Sequence, residues 1–301
     1  MDAYPKIFQL GTRHTQKLFD GPVEVTEKVD GSQFAFGLID GEIVIRSKGK
    51  IHPINAPDKL FMAAADQVVR MYTADRLEPG AVYYAEYLSR PKHNVLAYNR
   101  IPNNHLALFG VRRSGGEWVS AHSILAGYAS LLCIDVAPLL FQGNAADMPT
   151  ADDLLETESF LGGPRIEGFV IKNYAHELMV GDQIMPFIAG KFVSPAFREV
   201  HKQTWKGDHT AKGKWEGFCD TYAAPARWQK AVQHLNESGL LLGEPKDIGP
   251  LVKEVQRDVA EECREEIKSF LWQEFGPELL RKSIKGLPEW YKQQLAENLE
   301  A

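Results

Sequence analysis

Glu27-Lys28-Val29-Asp30-Gly31-Ser32 stands where an apolar run stops at a glycine. Residues 23–28 and 33–39 alternate or run apolar and are bounded by glycine, so two strands are expected with this hexapeptide at their junction. A lysine held where a strand ends projects from the sheet edge into a cleft, beside backbone amides that face phosphate readily. Such a lysine acts as a covalent nucleophile once its ammonium loses a proton, and neighbouring cations lower its pKa toward that state. By itself the pattern is common. Average residue frequencies give a Lys-x-Asp-Gly string in roughly one chain of this length in fifteen. A surface lysine before a β-turn is the competing reading, and the flanking sequence has to decide between them.

Outward from the hexapeptide, Asp40-Gly41 lies between Ile39 and Glu42-Ile43-Val44-Ile45, a two-residue hairpin signal because both turn residues tolerate positive φ. Residues 59–72 carry apolar side chains at helical spacing, 81–88 and 105–112 return to strand character, and 120–133 is again helical. Thr150 heads a short helix with Asp152 and Asp153 in its first turn. Strands are expected over 165–173 and 183–193. After Trp215 the texture changes. Residues 225–237 fit one helix and 248–275 another, ended by Gly276-Pro277, with two shorter helical pieces split at Gly286-Leu287-Pro288. There is no internal repeat and no low-complexity linker. The reading is an α+β domain of antiparallel sheets with flanking helices over 1–215, followed by an all-helical domain over 216–301.

Composition sets limits on function. A hydrophobic fraction of 44% and a charged fraction of 25% are those of a globular protein. No run approaches the roughly 18 to 20 apolar residues of a membrane span, and the first residues have no basic-then-apolar signal pattern. Cys133, Cys219 and Cys263 are far apart and form no metal or redox spacing. A reducing, cytoplasmic setting and a monomeric, membrane-free protein are expected. The net charge is −6, yet Lys191, Arg198, Lys202, Lys206, Lys212 and Lys214 outnumber Glu199 and Asp208 along one stretch, and a local basic strip can neutralise phosphates. Trp205 and Trp215 are interleaved with those lysines and suit either base stacking or anchoring a domain joint. His14, His52, His93 and His122 have no evident partners and read as structural or surface residues.

Further pieces follow the hexapeptide in a fixed order. They are Arg46-Ser47-Lys48-Gly49-Lys50, Tyr83-Tyr84-Ala85-Glu86-Tyr87-Leu88, Leu108-Phe109-Gly110-Val111, Glu167-Gly168-Phe169-Val170-Ile171-Lys172 and Ile188-Ala189-Gly190-Lys191-Phe192. Together with Glu27-Lys28-Val29-Asp30-Gly31, the set resembles motifs I, Ia, III, IIIa, IV and V of the covalent nucleotidyltransferases, the superfamily of DNA ligases, RNA ligases and mRNA capping enzymes. The resemblance spans residues 27–192. It implies the nucleotidyltransferase fold of the ligase adenylation domain.

The resemblance also implies a chemistry. Lys28 would attack the α-phosphate of ATP, giving a lysyl–AMP phosphoramidate and releasing pyrophosphate, a step that calls for a metal and cations. Glu167 corresponds to a metal-binding carboxylate, suited to Mg²⁺ or Mn²⁺, and Glu86 to the acid that holds the ribose or a metal-bound water. Lys172 and Lys191 would supply phosphate charge and help keep Lys28 neutral. Phe109 would stack on adenine with Val170 on the other face. Arg46 would contact a phosphate of ATP or of a nucleic-acid end. Glu27, Asp30 and Gly31, from the motif of the nucleophile, are counted with the nucleotide site. Each has a plainer reading: Glu86 and Glu167 as strand-end carboxylates, Phe109 as core, Arg46 as a surface hairpin residue. One departure stands out. Where the last motif usually carries two lysines separated by one residue, Ala189 takes the first position and Lys191 the second.

DNA ligases and capping enzymes follow this last motif with a β-rich oligonucleotide-binding barrel, whereas the tail here is helical and charged. That arrangement is similar to the RNA-ligase-2-like group. With the first strand expected at residue 23, neither an upstream barrel nor the extra domain of NAD-dependent ligases is expected, which favours ATP. Asp30-Gly31-Ser32 is nearer the DNA ligase form. The expected activity is ATP-dependent sealing of RNA ends, at nicks or bridged breaks. A minimal DNA ligase is the alternative, followed by a GTP-using capping enzyme and an inactive nucleic-acid-binding relative.

Overall fold

A computed structural model describes residues 1–194 and 211–299. The basic strip read between Lys191 and Lys214, with Trp205, lies largely outside these residues. Two compact units are present, Met1–Glu254 and Val255–Ala301.

The strands among the described residues all fall in the first unit: β1 (Phe8–Gln9), β2 (Pro22–Glu27), β3 (Ser32–Ile39), β4 (Glu42–Ser47), β5 (Ile51–His52), β6 (Val82–Tyr87), β7 (Leu106–Arg112), β8 (Asp135–Val136), β9 (Leu139–Asn144), β10 (Gly168–Asn173), β11 (Leu178–Val180), β12 (Gln183–Met185) and β13 (Ile188–Val193). One sheet has the order β1-β13-β10-β2-β9 and a second the order β5-β4-β3-β6-β7-β8, while β11 and β12 pair as a hairpin. Pairing is antiparallel except for the short edges β1–β13 and β7–β8. The turn between β3 and β4 is Asp40-Gly41, with φ of 52° and 83°, as the hairpin reading requires.

Strand alternation gives each sheet two distinct faces. In the second sheet Phe34, Phe36, Tyr83, Ala85, Tyr87, Leu106 and Leu108 pack against α1 (Met62–Thr73) and α2 (His122–Leu132) through Ala64, Val68, Met71, Leu125 and Ala129. In the first sheet Val23, Val25, Phe169, Ile171 and Ile188 close on Leu18 and on Leu154 of α3 (Ala151–Leu155). Helix α3 starts with a capping box between Thr150 and Asp153, satisfying orphan backbone donors. The remaining faces of the two sheets meet through Tyr4, Ala35, Val82, Tyr84, Phe187 and Ala189. A cleft opens beside that cluster, sharing Ile7 and Phe109 with it.

From residue 211 on, the regular elements among the described residues are helical: α4 (Ala211–Asp220), α5 (Pro225–Glu237), α6 (Ile248–Glu262), α7 (Arg264–Ser283) and α8 (Leu287–Leu299), with one 3₁₀ turn at Pro245–Asp247. The first compact unit includes α4 and α5. Two expectations are corrected here. The single helix over 248–275 is broken at Cys263, and Gly276-Pro277 does not end it, because α7 runs through Pro277. The proline removes one backbone hydrogen bond whose acceptor would be the carbonyl of Gln273, an exposed residue where water can take the donor's place. The two-residue strands β1 and β8, and the half-exposed β9, carry too little alternation to be read from sequence. No described helix is long and apolar enough to cross a membrane.

Candidate active site

Lys28 follows β2 directly. Its backbone N–H donates to the Gly168 carbonyl at 3.0 Å, extending the β2–β10 ladder past Phe169 opposite Glu27. Glu167 precedes β10 and is fixed on its far side by the Ser194 N–H, which donates to its carbonyl at 2.9 Å. The ladder therefore brings the two side chains together, and Lys28 Nζ donates to Glu167 Oε2 at 2.5 Å. Gly168 is needed at this junction, since a Cβ there would lie 2.0 Å from the Phe192 carbonyl oxygen of β13.

Glu86, near the end of β6, approaches the same place from the opposite sheet. Its Oε2 is sealed from solvent without a hydrogen-bond partner. Burial pushes its pKa up to about 8; Lys28 draws it down, while Glu237, Glu167 and Asp30 push it further up. Burial pulls the Lys28 pKa down, but Glu167, with Asp30 and Glu86, outweighs burial and leaves it raised. The expected lowering by Lys172 and Lys191 is therefore not found. The physical reason is local: carboxylates are the nearest charges to Lys28, and Lys172 has a carboxylate partner of its own.

That partner is Glu24. Lys172 Nζ donates to Glu24 Oε1 at 3.3 Å and to the Phe109 carbonyl at 2.8 Å, with both side chains almost fully buried. Burial lowers the Lys172 pKa, against the pull of Glu24. In the β10–β13 ladder Lys172 stands opposite Ala189, and Val170 opposite Lys191. The alanine of the altered motif thus packs with Tyr4 and Phe187, where a second lysine would have stood beside Lys172.

Between these groups lies a pocket lined by Ile7, Thr26, Glu27, Lys28, Val29, Glu86, Phe109, Ala137, Val170, Lys172 and Lys191. Phe109 reaches it through a β-bulge. Tyr84 pairs with Gly110 and Ala85 with Leu108, so Phe109 has no opposite residue on β6 and is re-aimed. Its edge meets Tyr4 at 4.9 Å between ring centroids.

Seven of the residues read from sequence thus line one pocket: Glu27, Lys28, Glu86, Phe109, Val170, Lys172 and Lys191. Glu167 joins them through Lys28. The remaining three stand outside the lining. Asp30 accepts from the Val95 and Leu96 N–H groups, both at 2.8 Å, and holds a loop. Gly31 is the close approach beside β6, where a Cβ would lie 2.9 Å from the Tyr87 carbonyl oxygen and 3.1 Å from Glu86 Oε2. Arg46 donates to the Met1 carbonyl at 3.1 Å. Glu27, although at the pocket edge, accepts from Ser159 Oγ at 2.5 Å and from the Phe160 N–H at 3.2 Å, holding a second loop.

Oxygen donors suit a hard divalent cation, and the buried, unpartnered Glu86 Oε2 beside Lys28 is an oxygen in want of one. Among the described residues no three His, Cys, Asp or Glu side chains form a protein-only cage. Mg²⁺ would need only one or two carboxylates, the rest of its octahedron being waters and substrate phosphates. Glu86 and Glu167 are the carboxylates that could hold it.

Sequence reading missed Glu24, Tyr4 and Ile7, along with Gln233 and Glu237 of α5, and gave Ser32 no role of its own; His93, read as without an evident partner, contacts Ser32 and Ser89. Only Glu24 left a signal: with Thr26 it alternates against Val23 and Val25, a charge on the inner face of an apolar strand.

The family model described as RNA ligase matches residues 21–185, more than half of the chain. No curated protein matches. Among solved structures, a Naegleria gruberi RNA ligase with PPi is similar at 14% identity and a TM-score of 0.47, over 65% of this chain and 57% of that one. A mutant of the Naegleria enzyme with ATP and Mn is similar at 13% identity and a TM-score of 0.46, over 65% and 57%. An archaeal ATP-dependent RNA ligase is similar at 16% identity and a TM-score of 0.46, over 89% of this chain and 66% of that one. The chain thus spans somewhat over half the length of the Naegleria ligase. The family match runs across the stretch that carries Lys28, Glu86, Phe109, Glu167 and Lys172, and the chain belongs to the RNA ligase family.

Proposed function

We propose that the chain is an ATP-dependent RNA ligase that joins a 3′-OH to a 5′-phosphate, at nicks or bridged breaks, through AMP carried on Lys28. The observation that carries this reading is the contact of Lys28 with Glu167 at the edge of a pocket that also holds Glu86, an aromatic ring and two further lysines. Phe109 and Val170 offer apolar surfaces for a purine, and Thr26 lines the same pocket. Lys191 and Lys172 offer positive charge to the phosphates.

The reaction is a transfer in three displacements. The Lys28 amine forms a bond to the α-phosphorus of ATP as the bond to pyrophosphate breaks, and the amine's proton leaves. A 5′-phosphate oxygen next displaces Lys28 from the AMP phosphorus, giving an adenylated 5′-end. The 3′-hydroxyl then attacks that end, loses its proton and expels AMP. Glu167 holds Lys28 in line but also holds it charged, so its negative charge has to be compensated before the first step. Glu86 and Glu167 would hold a divalent cation, whose charge would supply that compensation and would stabilise charge developing on the α-phosphate.

The test is transfer of label from α-labelled ATP to the protein. Wild type should acquire one AMP and Lys28→Ala none; labelling of the variant to the wild-type extent sinks the assignment. Sealing of all-RNA, all-DNA and hybrid nicked duplexes, with ATP compared against GTP, then separates an RNA ligase from a DNA ligase or a capping enzyme.

A further inference from the structure

Helix α5 grips the turn that carries the nucleophile. Gln233 and Glu237 are one helical turn apart and so share a face. Gln233 Nε2 donates to the Gly31 carbonyl at 3.2 Å and lies 2.7 Å from Glu237 Oε1. Ser32 Oγ donates to the same Glu237 oxygen, and both residues are buried.

The hydrogen-bond directions close into one chain. The Ser89 N–H donates to His93 Nδ1 at 3.1 Å, which leaves the proton of a neutral ring on Nε2. Nε2 lies 2.9 Å from Ser32 Oγ and donates to it, freeing the serine hydroxyl for Glu237. On its other side the turn is held by Asp30, which takes the Val95 and Leu96 amides, and by Asn94 Nδ2, which donates to the Gly31 carbonyl at 2.9 Å. Gly31 is therefore clamped between the 93–96 loop and α5, with Glu86 Oε2 beside it and Lys28 three residues back.

The placement is costly unless it does something. Glu237 is a buried carboxylate in the last turn of α5, at the negative end of the helix dipole. Burial raises its pKa, while Ser32, Gln233, His234 and Lys48 draw it down. An apolar residue would dock a helix there at less cost.

On the reading that Lys28 takes AMP, we infer that Gln233 and Glu237 are positioning residues for that step: α5 sets the Gly31-Ser32 turn, and through it the spacing of Lys28 and Glu86. Neither residue lines the nucleotide pocket. Their loss should act on the rate of transfer and leave ATP binding nearly alone.

The experiment is single-turnover labelling with α-labelled ATP on the full chain, alongside hydrogen exchange of the peptide covering residues 29–33. Gln233→Ala and Glu237→Ala should each slow labelling at saturating ATP by about tenfold, with half-saturation changed less than about twofold. Glu237→Gln, whose amide oxygen still accepts from Ser32, should recover to within about threefold of wild type. If wild type labels and both alanine variants stay within about twofold of it, the positioning role is overturned while adenylation stands. If wild type fails to label, the adenylation reading falls, and hydrogen exchange alone decides. Exchange over 29–33 about tenfold faster in Gln233→Ala keeps the clamp, and unchanged exchange removes it. Gln233→Ala leaves the buried carboxylate in place, so it carries the test should Glu237→Ala fail to fold.

Discussion

Lys172 and Glu24 stand directly opposite each other in the β10–β2 ladder, and their side chains meet in a buried ion pair. On its other flank Lys172 faces Ala189. The lysine read as a phosphate contact is thus also the counter-ion of a carboxylate no motif announces. Removing one partner strands a buried charge, so Lys172→Ala should cost about 3–5 kcal/mol in urea unfolding. The pair Glu24→Gln with Lys172→Met should recover most of that stability, since the charges leave together. AMP transfer should stay low in both. Full transfer in the stable double variant would show that Lys172 serves the fold alone.

Ala189→Lys restores the usual pair of lysines to the last motif, yet a gain in activity is not expected. The new ammonium would enter the cluster of Tyr4, Tyr84 and Phe187, beside a lysine whose one carboxylate is taken. Burying an unpaired charge there should lower stability by about 3 kcal/mol. Thermal melts and AMP labelling read this directly, and a variant as stable as wild type with faster labelling would refute it.

His93 should make the protein sensitive to acid. Burial pulls its pKa down to about 4, from 6.5, with Asp30 raising and Arg90 lowering it. The unfolded chain then binds more protons than the folded one between those values. Stability is full above about 6.5 and falls as pH drops through the window, by at most roughly 3.5 kcal/mol. His93→Gln keeps a donor for Ser32 but cannot titrate, so its melting temperature should depend less on pH between 4 and 6.5. Equal pH slopes for variant and wild type would remove His93 from the account.

The Lys28–Glu167 contact predicts an effect on amine reactivity in the absence of ATP and metal. Glu167 is the largest influence raising the Lys28 pKa against burial. In Glu167→Gln burial should prevail, the pKa should drop, and Lys28 should react faster with an amine-acylating reagent near neutral pH. Peptide mass mapping over time measures it. A Lys28 no more reactive in the variant would mean that Glu167 does not hold the proton.

Much of the fold was legible locally. Strands β2, β3, β6, β7, β10 and β13 lie within or next to the stretches of apolar alternation, and α1, α2 and α5 where helical spacing put them. These elements are long enough for a period of two or 3.6 to declare itself. The short strands β1 and β8 exist only because a neighbour supplies hydrogen bonds, and the Pro277 reading failed because an exposed helix tolerates a lost donor.

At the site, the sequence by itself determined which residue types are present and in what order: a lysine at a strand end, two later glutamates, two later lysines and an aromatic. That order was enough to name the family. Only the tertiary structure decided what each charge faces. Glu167 meets Lys28 because β10 pairs with β2, Lys172 is neutralised by Glu24 for the same reason, Asp30 turns to a loop, and Glu27 at the pocket edge spends its oxygens on a second loop. Electrostatic effect depends on through-space distance and burial, whereas a motif records only separation along the chain. Lys28 is therefore recognisable from its neighbours in sequence, but its proton is governed by Glu167, 139 residues away.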